Sequence, residues 1–93
     1  MMSFRFVVSV MPKDGILDPQ GRAVEQSLPH LGVTTIRGVR VGRRVELTID
    51  ASTEAEARET VERLAHELFG NPLIETTHVE ILEAASSIAV GES

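Results

Sequence analysis

The sequence predicts an α+β fold: one βαββαβ, ferredoxin-like domain, an antiparallel sheet of four strands with two helices on one face. Three observations predict it. Residues 3–11 alternate strictly, with Phe4, Phe6, Val8 and Val10 on one face and Arg5, Val7, Ser9 and Met11 on the other, as period-2 geometry requires. Two later stretches carry apolar residues at helical spacing behind capping residues. Between and after them lie runs of β-branched residues bounded by Gly, Pro and Asn.

The elements follow in order. The first strand is largely apolar on both faces, which marks a central position in the sheet. Residues 12–18 form a turn. Asp18-Pro19 opens a helix, with an acceptor at the cap and a proline where its missing N–H costs nothing. Val24, Leu28 and Leu31 make one stripe, Pro29 loosens the last turn, and Gly32 ends it. Residues 33–41 and 44–50 read as a hairpin, with Gly42 at positive φ in its turn and a bulge at Gly38. Val45, Leu47 and Ile49 point inward on the second arm. Thr53 and Glu56 form a capping box for a helix whose inner stripe is Ala57, Val61, Leu64 and Leu68. Glu54–Arg58 and Glu59–Arg63 are i,i+4 pairs on its flanks. Gly70-Asn71-Pro72 stops that helix. Residues 73–83 form the last strand, with a phase slip between Ile74 and Val79 that points to a bulge. The domain is therefore assigned to residues 1–83, and 84–93 to a flexible tail.

Ninety-three residues suffice for one domain, and a chain this short buries only about 60–65% of the surface its unfolded form exposes. Such a thin core favours self-association. The chain has no cysteine, so disulfides, thiolate metal sites and cysteine nucleophiles are excluded. No stretch has the apolar length of a signal peptide core or a membrane helix, and the expected location is the cytoplasm, without a membrane partner. Fourteen acidic against nine basic residues give a net charge of −5. With no aromatic beside Arg37, Arg40, Arg43 and Arg44, nucleic-acid binding is not expected.

Chemistry-bearing patterns are sparse. His30, His66 and His78 have no metal-ligand spacing, and His66 falls opposite the helix stripe, toward water. There is no GxSxG elbow, and the carboxylates of the second helix have the spacing of a salt-bridged solvent face. Gly15 and Gly21 flank a capped turn that matches neither phosphate-binding glycine pattern. The loop after the first strand, Met11-Pro12-Lys13-Asp14-Gly15, has no arginine, which argues against an acylphosphatase. No catalytic, cofactor or metal residue is assigned, and an assembly role remains. The alternative is a stand-alone ACT-like regulatory domain that binds a small molecule.

The stretch Lys13-Asp14-Gly15-Ile16-Leu17-Asp18-Pro19-Gln20-Gly21-Arg22-Ala23-Val24 resembles the PurS-family pattern K-x-G-(V/I)-L-D-P-x-G-x-A-(V/I). Leu31-Gly32, Val39-Arg40-Val41-Gly42-Arg43 and Asn71-Pro72-Leu73-Ile74-Glu75 follow in the family's order, like its VRxGK and NP(V/L)IE stretches. Arg43 stands where lysine is usual, and Thr76-Thr77-His78 replaces a stretch that often carries tyrosine. The resemblance implies a non-catalytic small subunit of phosphoribosylformylglycinamidine synthase, an ATP- and glutamine-dependent ligase of de novo purine biosynthesis. It implies a subunit that bridges a glutaminase and a large synthetase and assists ammonia transfer between them, with ATP and Mg²⁺ used by the synthetase and no cofactor in this chain. The candidate partner-interface residues are Lys13, Asp14, Gly15, Asp18, Pro19, Gly21, Arg40, Gly42, Arg43, Asn71, Pro72 and Glu75. Capping already accounts for Asp18 and Pro19. No local structure demands Lys13, Arg40 or Arg43, which makes them the stronger candidates for a partner contact.

Overall fold

The computed structural model describes residues 1–86. Strand β1 (Met2–Pro12) lies in the middle of a three-stranded antiparallel sheet, between β2 (Arg43–Ala51) and β3 (Glu75–Ser86). Helix α1 (Pro19–Ser27) runs into a 3₁₀ turn at Leu28–Leu31, and α2 (Glu54–Leu64) into a π-helical turn at Ala65–Phe69. The central place of β1 is the one its two apolar faces predict.

The core forms where the alternating face of β1 meets α2. Phe4, Phe6, Val8 and Val10 are buried against Ala57, Val61 and Ala65, with Val45, Leu47, Ile49, Val79 and Ile81 partly buried around them. The helix brings two small residues and one valine to the contact, so its axis can approach the sheet closely. The guanidinium of Arg58 lies 5.5 Å from the Phe6 ring centre, and Arg58 Nη1 also donates to Val79 O at 3.5 Å. The opposite face of the sheet is largely polar around a buried Val7. There Ser3 donates to Asp50 at 2.6 Å, and Arg5 pairs with Glu46 and Glu83 at 3.4 and 3.0 Å. The Arg44 guanidinium, 2.7 Å from Glu46, holds that carboxyl below its ordinary range.

The α+β class and the antiparallel sheet are as expected, and several details differ. Residues 33–41 are not a strand. Val39 and Val41 are tied to Glu25 and Asp18, and the stretch makes no ladder with β2, so the expected hairpin is absent within one chain. Gly42 does not take positive φ; Gly15, Gly32 and Gly38 do, at 81°, 79° and 74°. Gly38 therefore bends the chain rather than bulging a strand. Helix α1 buries only Gly21 and makes almost no contact with the sheet, which α2 alone covers. The register slip lies between Arg5 and Phe6 opposite Ile81 and Glu83, not near Ile74.

At the end of α2, the π turn moves the helix phase by one residue. Phe69 turns toward the core, and Leu68, expected on the inner stripe, is 69% exposed. The ion pairs found on α2 are Glu54–Arg58 at 4.0 Å, Arg58–Glu62 at 3.7 Å and Arg63–Glu67 at 3.5 Å. Arg63 thus pairs toward the C-terminus rather than with Glu59. Ala84, Ala85 and Ser86, assigned to the tail from sequence, still pair with β1. The rest of that expected tail, 87–93, lies outside the described residues.

A candidate partner interface at one end of the sheet

Three sequence-distant stretches meet where β1 ends and β2 and β3 begin. Asp18 starts the construction as the N-cap of α1: Gly21 N–H donates to its Oδ1 at 3.0 Å. Its other oxygen, Oδ2, accepts from Val41 N–H at 2.9 Å. Glu25, nearly two turns further along α1, accepts from Val39 N–H at 3.0 Å. The cap carboxylate and one within α1 therefore hold residues 39–41 beside the helix. Gly21 makes the approach possible, since a Cβ there would meet both the Asp18 carboxylate and Val39 O.

The second tie joins the starts of β2 and β3 across the end of β1. Arg43 places Nη1 and Nη2 each 2.9 Å from the two Glu75 oxygens, a bidentate fork, and Nη2 also donates to Phe69 O at 2.7 Å. Asn71 N–H donates to Glu75 Oε1 at 2.8 Å, and Asn71 Oδ1 accepts from Leu73 N–H at 3.1 Å. Lys13 N–H donates to Ile74 O at 2.8 Å and closes the corner. Between the ties lies a cleft of about 460 Å³, lined among others by Ile16, Leu17, Asp18, Val41, Arg43 and Ile74.

All twelve candidate residues fall at or beside this corner. Two receive roles that sequence reading missed. Asp18 does more than cap, because it also anchors residue 41. Arg43, which no local pattern demands, satisfies a carboxylate and the last carbonyl of the π turn. A lysine could not make the fork, because its ammonium is a single point rather than a planar pair of donors. Glu25 was overlooked altogether. Arg40 reaches Asp14 at 3.5 Å, but the Asp14 side chain is 97% exposed, so solvent screens the pair and the charges remain available to a partner.

Electrostatics predict how the corner responds to acid. Asp18 is held below its ordinary range by the Gly21 N–H first and the Val41 N–H second, and Glu75 by the Arg43 guanidinium and then the Asn71 N–H. Both groups bind protons more weakly folded than unfolded. Their stabilisation is therefore complete above the ordinary carboxylate range, about pH 4, and is lost as pH falls through the lowered values. Amide exchange at Val41 and Asn71 should accelerate below that pH before the β1 amides lose protection. In Asp18→Asn the acid step at Val41 should vanish while that at Asn71 persists.

Among the described residues, no three His, Cys, Asp or Glu side chains gather in a way that could hold a metal ion. The corner offers rigid backbone, fixed charges and apolar rims at Leu17 and Leu73. These features belong to a small domain of the ferredoxin-like α+β class.

Comparison with known proteins narrows the class to a family. The family model described as PurS, phosphoribosylformylglycinamidine (FGAM) synthase, matches residues 5–83. The phosphoribosylformylglycinamidine synthase subunit PurS of Synechocystis sp. is 34% identical over 79 residues, 85% of this chain and 79% of the relative. That of Mycobacterium leprae is 42% identical over 71 residues, 76% and 86% of the two chains. A chain in the structure of PurLQS from Thermotoga maritima superposes with a TM-score of 0.78 at 28% identity, covering 86% of this chain and 98% of that one. The chain belongs to the PurS family of FGAM synthase subunits.

Proposed function

We propose that this chain is the small subunit of an FGAM synthase complex, docking a glutaminase and an ATP-dependent synthetase to one another and assisting passage of ammonia between them. The observation that carries this reading is the corner: the family-like stretches 13–24, 39–43 and 71–75 converge on one rigid surface, and none of them builds a reacting site. A surface already ordered by Asp18, Glu25, Arg43 and Glu75 loses little entropy on binding. Lys13, Asp14 and Arg40 on its rim set orientation and partner choice. ATP and Mg²⁺ belong to the synthetase in this reading, and the complex works in the cytoplasm. No helix among the described residues is long and apolar enough to cross a membrane.

The same reading includes self-association, as a dimer or tetramer. The radius of gyration is 17.4 Å and the longest dimension 52 Å. A compact domain of this length would have a radius near 12 Å. The α1 arm stands away from the sheet with its apolar stripe uncovered: Val24 is 44% and Leu31 75% exposed.

Size-exclusion chromatography of this chain with the glutaminase and the synthetase tests the docking role. A single peak containing all three chains is expected at low salt. Reversing the rim charge with Lys13→Glu and Arg40→Glu should slow assembly and steepen or invert its salt dependence, without altering the circular dichroism of the free chain. Separate elution of the unmodified chains under all conditions would remove the docking role.

A further inference from the structure

The outer edge of the sheet along β3 has no neighbouring strand among the described residues. Natural sheets blunt such edges with short strands, lysine or proline. β3 uses none of these: it runs 12 residues, Glu75–Ser86, without a lysine, arginine or proline. Its one irregularity lies past Ile81, opposite Arg5 and Phe6.

The register decides which backbone groups face outward. Lys13 N–H donates to Ile74 O at 2.8 Å, a bond that flanks a non-hydrogen-bonded pair, so Pro12 and Glu75 face each other as such a pair. These pairs recur at every second residue, and the register is unbroken from Glu75 to Ile81. Thr77, Val79 and Ile81 therefore turn their N–H and C=O groups away from β1. One side-chain contact agrees: Arg58 Nη1 reaches Val79 O at a long 3.5 Å. An amide donor at the ordinary distance of about 2.9 Å would displace it.

The surroundings of this edge are shaped and acidic. A groove of about 430 Å³ lies between the end of α2 and β3, lined by Glu62, Ala65, His66, Thr77, His78 and Val79. On the other face of the sheet, Glu80 and Glu83 are exposed. Side chains of an added strand would fall alternately into the groove near Glu62 and onto the face beside Glu80. Two β3 edges laid together would instead gather Glu80 and Glu83 of both copies, with no cation in either strand. That arrangement argues against a second copy of this chain as the occupant.

We propose that the free edge of β3 takes an extended segment of a partner subunit, bearing lysine or arginine, as a fourth strand. Backbone hydrogen bonds to Thr77, Val79 and Ile81 supply the attachment, and cations placed near Glu62 and Glu80 select the segment. This edge is distinct from the charged rim of the corner, and the inference rests on the docking role proposed above.

The test is amide exchange on the free chain and on its assembly with the glutaminase and the synthetase. In the free chain the Thr77, Val79 and Ile81 amides should exchange quickly, while those of Thr76, His78 and Glu80, bonded to β1, are protected. In the assembly the first three should slow by about tenfold or more. Thr77→Pro removes one outward donor and leaves the β1 ladder intact, since an edge tolerates proline. It should keep the circular dichroism of the free chain and weaken assembly. Glu80→Lys, which leaves every backbone donor in place, should weaken assembly most at low salt, where repulsion of a basic segment is least screened. An assembly whose three edge amides exchange as in the free chain overturns the added strand and leaves the docking role standing. Protection that grows with the concentration of the free chain assigns the edge to a second copy and overturns the proposal. Separate elution of the three chains overturns it together with the docking role.

Discussion

Phe6→Ala is expected to lower the stability of the free chain by about 3–5 kcal/mol, read as a fall in the urea midpoint with little change in slope. The ring is fully buried in the middle of the central strand, opposite Leu47 on one side and Ile81 on the other, with Arg58 above it. Among the described residues, the core around it is Phe4, Val8, Val10, Ala57, Val61 and Ala65, too few to close over the space left by the ring. Small domains have about 5–15 kcal/mol in total. A loss of this size therefore leaves a large unfolded fraction at modest temperature. Leu73→Ala is the control. Leu73 is 82% exposed, and its truncation should leave the midpoint unchanged.

Gly42→Ala is the second large effect, expected to cost about 1–3 kcal/mol as local overpacking. A Cβ at residue 42 would meet Val10 O, a backbone atom, and the Met11 sulfur. The sulfur can swing away, but the carbonyl cannot move without disturbing the first pair of the β1–β2 ladder, Val10 with Arg43. The change should thus perturb the Val10 and Arg43 amides and weaken the Arg43–Glu75 fork. Gly38→Ala separates crowding from backbone conformation. Residue 38 has open space around it and a φ of 74°, so alanine there costs about 1–2 kcal/mol through the left-handed backbone alone. Its effect should be confined to the arm. If Gly42→Ala leaves the β1–β2 amides in place, the close approach at residue 42 is not what the glycine serves.

The same two positions show where sequence reading succeeds and where it stops. β1 was legible because alternation reports directly on burial, and α2 because its Thr53 cap and small inner residues are local signals. The hairpin was misread because Val33, Ile36, Val39 and Val41 make the same pattern whether their strand pairs within the chain or outside it. Periodicity records that a residue is suited to a sheet, not which sheet. Gly42 was noticed for the wrong reason: a glycine between two extended runs looks like a turn, while the actual cause, Val10 O, is 32 residues away in sequence. The ties of Asp18 to Val41 and Glu25 to Val39 span 23 and 14 residues and carry no periodic trace. The π turn that exposes Leu68 and brings Phe69 inward likewise has no signature in spacing.

The candidate site was legible as a set of residues and not as a geometry. The family-like stretches named Lys13 to Gly21, Arg40 to Arg43 and Asn71 to Glu75, and the structure adds that they share one corner. It also shifts the weight among them. Arg43 and Glu75 hold the corner together from within, whereas Lys13, Asp14 and Arg40 sit on its rim. Substitutions should divide accordingly. Arg43→Lys should loosen the 70–75 turn in the free chain. Rim changes should be silent until a partner is present.

The most direct test of the account is a reconstitution in which purified glutaminase and synthetase are assayed for FGAM formation with and without this chain, using either glutamine or ammonia as the nitrogen source. The account predicts that omitting the chain abolishes glutamine-supported synthesis while ammonia-supported synthesis persists, and that the chain alone turns over nothing. Glutamine-supported synthesis that proceeds equally well without the chain would contradict it.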